Sequence, residues 1–324
     1  MQISRHYAYG LPSSIAILGL LFVSVMWGTS YGVSKKLLTL MPLEQLLFAR
    51  FAISSLVLGS ILVRKNVVAD FFVSPRRYLT VGMTTGFILT GIFITETWAV
   101  MLTQASEVAV LISLCVLFTP FIERLWLKTI LPVSLYLYCL LGVIGIVLAS
   151  NTNWHAIVLN DIDLNDIVLN DSVILILTAA ILRSIMVVAC RKALSDSALS
   201  LELVTFIQLT VVTMSMLGLI IYNYNATQTM QMLSLFGLEE TLYLLYLALA
   251  CTLLAFFLQN YSVRFLSASH ASLLMATEPL FGLLFSVFFL SEVLTLLQWG
   301  GSILIVSTTM AACYQFSKQK SSQN

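Results

Sequence analysis

The apolar positions along the chain fall in long unbroken blocks. They show neither the alternation of a half-buried strand nor the single apolar stripe of a surface helix. A helix needs roughly 20 mostly apolar residues to cross the hydrocarbon core of a bilayer, and ten blocks reach that length. In the first half they run Ile15–Ser34, Leu43–Val63, Leu79–Leu102, Val108–Trp126 and Pro132–Ser150. In the second half they run Val173–Arg191, Leu201–Tyr222, Leu242–Val263, Ala268–Leu290 and Leu296–Phe316. Hydrophobic residues make up 59% of the 324 and charged residues only 10%, too little charge to cover a soluble surface. Lipid as the solvent removes that difficulty, provided that each helix satisfies its own backbone. The pattern therefore predicts an all-α integral membrane protein with about ten transmembrane helices. Arg5 precedes the first block and Lys35 and Lys36 follow it, with no small-residue cleavage site. That block is expected to remain as a span rather than to be removed as a signal peptide.

The basic residues divide unevenly between the two ends of these spans. One set of connections and termini holds Arg5, Arg64, Lys65, Arg76, Arg77, Arg124, Lys128, Arg191, Lys192, Arg264, Lys318 and Lys320. The other set holds only Lys35 and Lys36. Lys and Arg concentrate on the cytoplasmic side, so both termini are expected to be cytoplasmic, in the inner (plasma) membrane of a bacterium. The connection Asn151–Asp171 is then external. It repeats a pentad three times, beginning at Ile157, Ile162 and Ile167. Its Asp spacing does not match a calcium loop and no Gly supplies the sharp turn, so it reads as a duplicated surface loop.

An internal repeat organises the spans. With a shift of 159 residues, Ala109 meets Ala268, Ser113 meets Ser272, Pro120 meets Pro279 and Gly142 meets Gly301. Twelve identities fall between positions 109 and 147 without a gap, where shared apolar composition would give roughly 3 or 4. The shift lays spans four and five on spans nine and ten, so the repeat unit is five helices. Because five is odd, the second copy is inverted in the membrane. Inverted repeats let one midplane site face either side in turn. The expected domains are a first five-helix repeat over 1–150, an external acidic loop over 151–171, and a second repeat with a short cytoplasmic tail over 172–324.

Several segments carry a family likeness. The stretch Leu266–Phe281 contains Ser267-Ala268 and Glu278-Pro279, and Ser291-Glu292 follow it. With Trp27-Gly28, Arg50-Phe51 and the stretch Ile112–Pro120, it resembles the EamA-type domain of the drug/metabolite transporter superfamily. The resemblance spans nearly the whole chain, and Glu-Pro is its most specific piece. The sequence departs from the pattern at Ser291, where Gly is usual, at Val133 against Glu292 in the other repeat, and at Arg183. The first span also lacks the acidic residue that the small multidrug-resistance relatives use for proton coupling. The resemblance implies a secondary transporter exporting a small metabolite, with an amino acid or amino-acid derivative as the leading substrate class. A multidrug or other metabolite permease is the alternative.

Charges inside a bilayer are costly and face cavities or partners. Arg50, Glu96, Arg183 and Glu278 all lie within spans. By depth, Arg50 and Glu96 are expected to pair in the outer third, and Arg183 and Glu278 near the midplane. Glu278, Arg183 and Glu96 are therefore candidates for substrate binding or gating, with Trp27, Tyr31, Ser113 and Asn260 as uncharged candidates. Trp98 and Tyr261 are further aromatic positions, more in keeping with interfacial anchors. Pro120 and Pro279 each remove a helix hydrogen bond within a span and are candidate hinges. Gly28 and Gly32, four apart, predict a face for close helix packing.

Other functions find little support. No HExxH or P-loop is present, and the three histidines have no metal-ligand spacing. An enzyme or an ATP-driven pump is not expected, nor is a cofactor or a metal. The net charge of +1 gives no field that would draw nucleic acid. The expected partners are a small-molecule substrate and the lipid bilayer. The five cysteines all lie in apolar stretches without CxxC spacing, as small core residues do.

Overall fold

The structure is a computed structural model, which describes residues 10–65, 67–103, 105–129, 131–149, 171–195, 199–223, 237–290 and 295–321. The pentad loop falls outside the described residues, apart from Asp171. The described residues form helices only. In the first half these are α1 (Gly10–Leu37), α2 (Leu43–Arg64), the short α3 (Val68–Val73), α4 (Pro75–Leu102), α5 (Ala105–Ile112), α6 (Cys115–Leu127) and α7 (Val133–Ala149). The second half contributes α8 (Asp171–Leu194), α9 (Leu201–Asn223), α10 (Leu238–Phe265), α11 (Ala268–Met275), α12 (Glu278–Leu290) and α13 (Leu296–Ser321).

Local chemistry sets several of these boundaries. Pro42 precedes α2 and Pro75 opens α4, where a missing N–H costs nothing. Lys128, with φ 54°, ends α6 in the left-handed conformation that closes many helices. The Ser267 hydroxyl accepts from the His270 backbone N–H and caps α11.

Six described helices are long and apolar enough to cross a membrane: α1, α2, α4, α8, α9 and α10. Spans four and nine are each broken in two. The pieces are α5 and α6 in one, α11 and α12 in the other, with 8 and 13 residues in both cases. This explains why neither span forms one long helix despite its continuous apolar sequence. The shorter apolar helices α7 and α13 complete an architecture of two five-span repeats.

The packing is reciprocal between the halves. Helix α4 lies along α8 as α10 lies along α1, and α4 meets α9 as α10 meets α2. Helix α6 packs on α8 as α11 and α12 pack on α1. Two spans meet their own counterparts, α2 against α9 and α7 against α13. A two-fold axis relating the halves requires this pattern. At the α7–α13 contact a Cβ on Gly145 would lie 2.9 Å from the Gly301 carbonyl oxygen, so the two backbones touch there.

Connections that the basic-residue pattern puts on one side also meet in space. At one end Lys35 Nζ donates to the Thr103 carbonyl at 2.5 Å, and Lys36 pairs with Glu239 at 2.6 Å. At the other end the Arg191 guanidinium donates to the Val263 and Arg264 carbonyls, and Arg264 donates to those of Leu194 and Leu199.

Candidate functional site

Between the halves, helices α1, α2, α4, α8, α10 and α12 bring the four intramembrane charges into one region. Glu278 opens α12, just past the break at Ala276–Thr277. The break is kept by short-range bonds: Ala276 N donates to the Ser272 carbonyl, and Thr277 N and its hydroxyl both donate to that of Leu274. Ser24 of α1 donates to the same Leu274 carbonyl at 3.2 Å. Backbone groups freed by the break are thus satisfied from within the protein, as a bilayer requires.

Glu278 is only 1% exposed, and both of its oxygens are engaged. Tyr31 donates to Oε1 at 2.5 Å, and Arg183 Nη2 lies 3.1 Å from Oε2. The Arg183 guanidinium also stacks 4.2 Å from the centre of the Trp27 ring. The expected Arg183–Glu278 pair is therefore present, with two aromatic side chains of α1 bracketing it.

Arg50 behaves differently from the expectation. Among the described residues no ion pair joins it to Glu96. Its Nε donates to Thr252 Oγ1 at 2.5 Å, its Nη2 to the Cys251 carbonyl at 3.2 Å, and its guanidinium lies 4.9 Å from the Phe93 ring centre. The reason lies in α10, which winds as a π-helix over Tyr246–Leu254. Side chains of α1 and α2 dock on its carbonyls: Trp27 Nε1 and Arg50 on Cys251, Ser54 on Ala248. Such π segments are frequent at functional sites. The cation is held by carbonyl and hydroxyl dipoles and by a ring face, which frees Glu96 from the role of counter-ion partner.

Glu96, half-buried, has no hydrogen bond or ion pair among the described residues. It lines a small cavity of about 20 Å³ together with Trp27, Ser30, Arg50, Phe93, Arg183, Phe256 and Gln259. A larger groove of about 810 Å³ lies elsewhere, between α2, α4 and α9, but apolar side chains such as Phe71, Phe87, Phe206 and Met214 dominate its lining and no charged group reaches it. Three of the four intramembrane charges, Arg50, Glu96 and Arg183, line the small cavity instead.

Residues 14–151 and 171–312 each match the model of the EamA-like transporter family. The chain belongs to that family. A curated relative described as an uncharacterized transporter, from Haemophilus influenzae (strain ATCC 51907 / DSM 11121 / KW20 / Rd), is 46% identical over 52 residues. That segment covers 16% of this chain and 31% of the relative, so the chain matches less than a third of the curated relative's length. A solved structure described as "Crystal structure of protein" is similar with a TM-score of 0.71 at 15% identity, over 94% of this chain and 99% of that one. At such an identity the likeness concerns the fold. The family is one of transporters, and the long apolar helices are those of a multi-pass membrane protein.

Of the sequence-predicted positions in this EamA-like transporter, Glu278, Arg183, Glu96, Trp27 and Tyr31 come together. Ser113 does not: it sits at the α5–α6 break and donates to the Ala109 carbonyl. Asn260 lies in a separate buried network, donating to Thr205 and to Gln208, which in turn donates to Thr85. Trp98 is about half exposed beside Leu102 and Ile174, and Tyr261 stacks on Phe265. Pro120 lies inside α6, whereas Pro279 is the second residue of α12.

Two positions that the structure singles out carried no sequence signal. Gln259 lines the cavity one residue from the position that drew attention. Glu123, near the end of span four, looks like an interfacial residue. It is in fact buried, and its carboxylate accepts from the Ala268 N–H at 3.1 Å, from the Ser269 N–H at 2.7 Å and from the Ser269 hydroxyl. It thereby satisfies donors at the start of α11 that have no partner within the helix. Glu123→Ala should orphan two buried backbone donors and cost about 2 kcal/mol or more. The check is the melting temperature of the purified protein in detergent. A change below about 1 °C would show that the carboxylate does not hold the two spans together.

Proposed function

We propose that this chain is a secondary transporter that exports a small metabolite, an amino acid or amino-acid derivative, by alternating access between its two repeats. The observation that supports this most is the buried charged cluster at the boundary between the halves. Arg50 and Arg183 against Glu96 and Glu278 sum to zero formal charge; the first three line a small cavity between α1, α2 and α4 of one half and α8 and α10 of the other, and Glu278 of α12 pairs with Arg183 beside it. A balanced cluster favours a substrate that adds no net charge, which fits a zwitterion. The reciprocal packing of the halves supports the exchange of access from one side to the other. Export and the amino-acid class rest on the family resemblance.

The proposed setting is a bacterial inner membrane with both termini in the cytoplasm. A cysteine placed at Asn165 should then react with a membrane-impermeant thiol reagent in intact cells, and one placed at Ser322 should not. The reverse labelling would overturn the orientation. The function itself is tested with purified protein in liposomes loaded with radiolabelled amino acids. Counterflow of at least one of them above protein-free liposomes is expected. Transport of other metabolites with no amino acid among them would remove the substrate class.

A further inference from the structure

The charged groups around the cavity are not equally engaged. Arg183 has Glu278 and the Trp27 ring, and Arg50 has Thr252, the Cys251 carbonyl and the Phe93 ring. Glu278 has Tyr31 and Arg183. Glu96 has no such partner among the described residues. Gln259, 1% exposed and on the same cavity, has a buried side-chain oxygen with no hydrogen-bond partner. A buried acceptor left unpaired is costly and calls for an explanation. Two acceptors on the cavity, carried by α4 and α10, therefore have no donor among the described residues. The rings of Trp27, Phe93 and Phe256 line the same space, and ring faces attract cations. The volume of about 20 Å³ suits a group the size of one water molecule, and a primary ammonium is that size.

We infer that Glu96 and the Gln259 side-chain oxygen form the subsite for the primary ammonium group of the substrate. This rests on the amino-acid reading and adds a polarity to it. The ammonium docks between α4 and α10, and the substrate carboxylate lies toward Arg50, whose guanidinium is held by neutral groups and keeps its charge uncompensated by any direct carboxylate contact. An ammonium and a carboxylate brought together leave the cluster's total charge unchanged. A deaminated acid leaves Glu96 and Gln259 unpaired and adds one negative charge.

The test uses the full chain purified in detergent, with melting temperature titrated against ligand, because a ligand that binds the native state raises its stability. Each of the common amino acids is compared with its deaminated carboxylic acid and its decarboxylated primary amine, for example L-phenylalanine, 3-phenylpropanoate and 2-phenylethylamine. For any amino acid that stabilises the protein, the deaminated acid should bind at least about 10-fold more weakly, and the amine should still bind. Glu96→Gln should weaken the amino acid by a similar factor and should not weaken the deaminated acid. Gln259→Leu, which adds no unpaired group, should weaken it by a smaller factor and serves if Glu96→Gln does not fold. Equal binding of the amino acid and its deaminated acid to the wild type would overturn the subsite while leaving the amino-acid reading standing. So would stabilisation by sodium chloride that choline chloride does not reproduce, since it would assign the acceptors to an ion. Stabilisation by other metabolites with no amine or amino acid among them would overturn both readings together.

Discussion

Glu278→Gln is expected to leave a folded protein that transports its substrate at least about 100-fold more slowly than wild type, a loss equivalent to about 2.7 kcal/mol. The substitution keeps the shape of the side chain and removes its charge. In the structure that charge ties together α1 through Tyr31, α8 through Arg183 and its own helix α12, so it joins the two halves at the start of a broken span. Removing one member of a buried ion pair ordinarily costs ~3–5 kcal/mol, because the other charge is left uncompensated. Here Arg183 retains two neighbours that lessen the penalty. The Trp27 ring lies against its guanidinium, and Glu96, without a partner of its own, lines the same cavity. Melting temperature and counterflow on one preparation separate the possibilities. Normal melting with lost flux supports a role in binding or gating. A collapsed melting temperature that Arg183→Leu restores would make the pair structural and would sink the prediction. Wild-type flux would remove Glu278 from the site.

The fold was legible in this sequence to an unusual degree because membrane spans depend on length and composition more than on detailed packing. Ten apolar blocks and an offset of 159 residues were enough to predict two repeats. The sequence did not reveal where the broken spans break. Ile112 and Met275, the last residues before each break, are 163 residues apart, whereas the repeat is 159. The break in the second half is thus displaced by about one helical turn. That displacement carries Pro279 out of the helix interior to the second position of α12 and makes Glu278 the first residue of a half-helix, while its counterpart Thr119 stays inside α6, donating to the Cys115 carbonyl and to Ser272. Matching prolines predicted matching kinks, but a proline tolerates both positions, and neighbouring carbonyl partners such as Ser24 decide which is used.

The site was legible in its charges and hidden in its amides. Depth along the spans was enough to pair Arg183 with Glu278, because an unpaired charge in lipid has few alternatives. The same reasoning placed Arg50 with Glu96 and missed that a π segment offers carbonyls to a guanidinium. No residue pattern in Tyr246–Leu254 announces that winding. Gln259 and Asn260 are adjacent and chemically alike, and a helix turns them by roughly 100°. One therefore reaches the cavity and the other reaches Gln208 and Thr205. Only the rotation of α10 distinguishes them.

Gly28→Val should separate α1 from α12 and abolish flux, whereas Gly32→Ala should be neutral or slightly stabilising. Both glycines were expected on the packing face of the first span, but the structure divides them. A Cβ at position 28 would lie 2.6 Å from the Glu278 carbonyl oxygen and 3.0 Å from the Gly282 backbone nitrogen. These are backbone atoms, so no rotamer change relieves the overlap and a helix has to move. Overpacking of this kind costs about 1–3 kcal/mol. It acts where α1 supplies Tyr31 to Glu278 and Trp27 to Arg183, so a shift of a few tenths of an ångström disturbs both contacts. Gly28→Ala already carries the clashing atom and should show a smaller loss in the same direction. At position 32 a Cβ meets nothing within 4 Å, and alanine is the better helix former by about 1 kcal/mol. Melting temperature and counterflow measured on all three variants decide the matter. If Gly28→Val transports at the wild-type rate, the close approach of α1 to the start of α12 does not hold the charged pair in place.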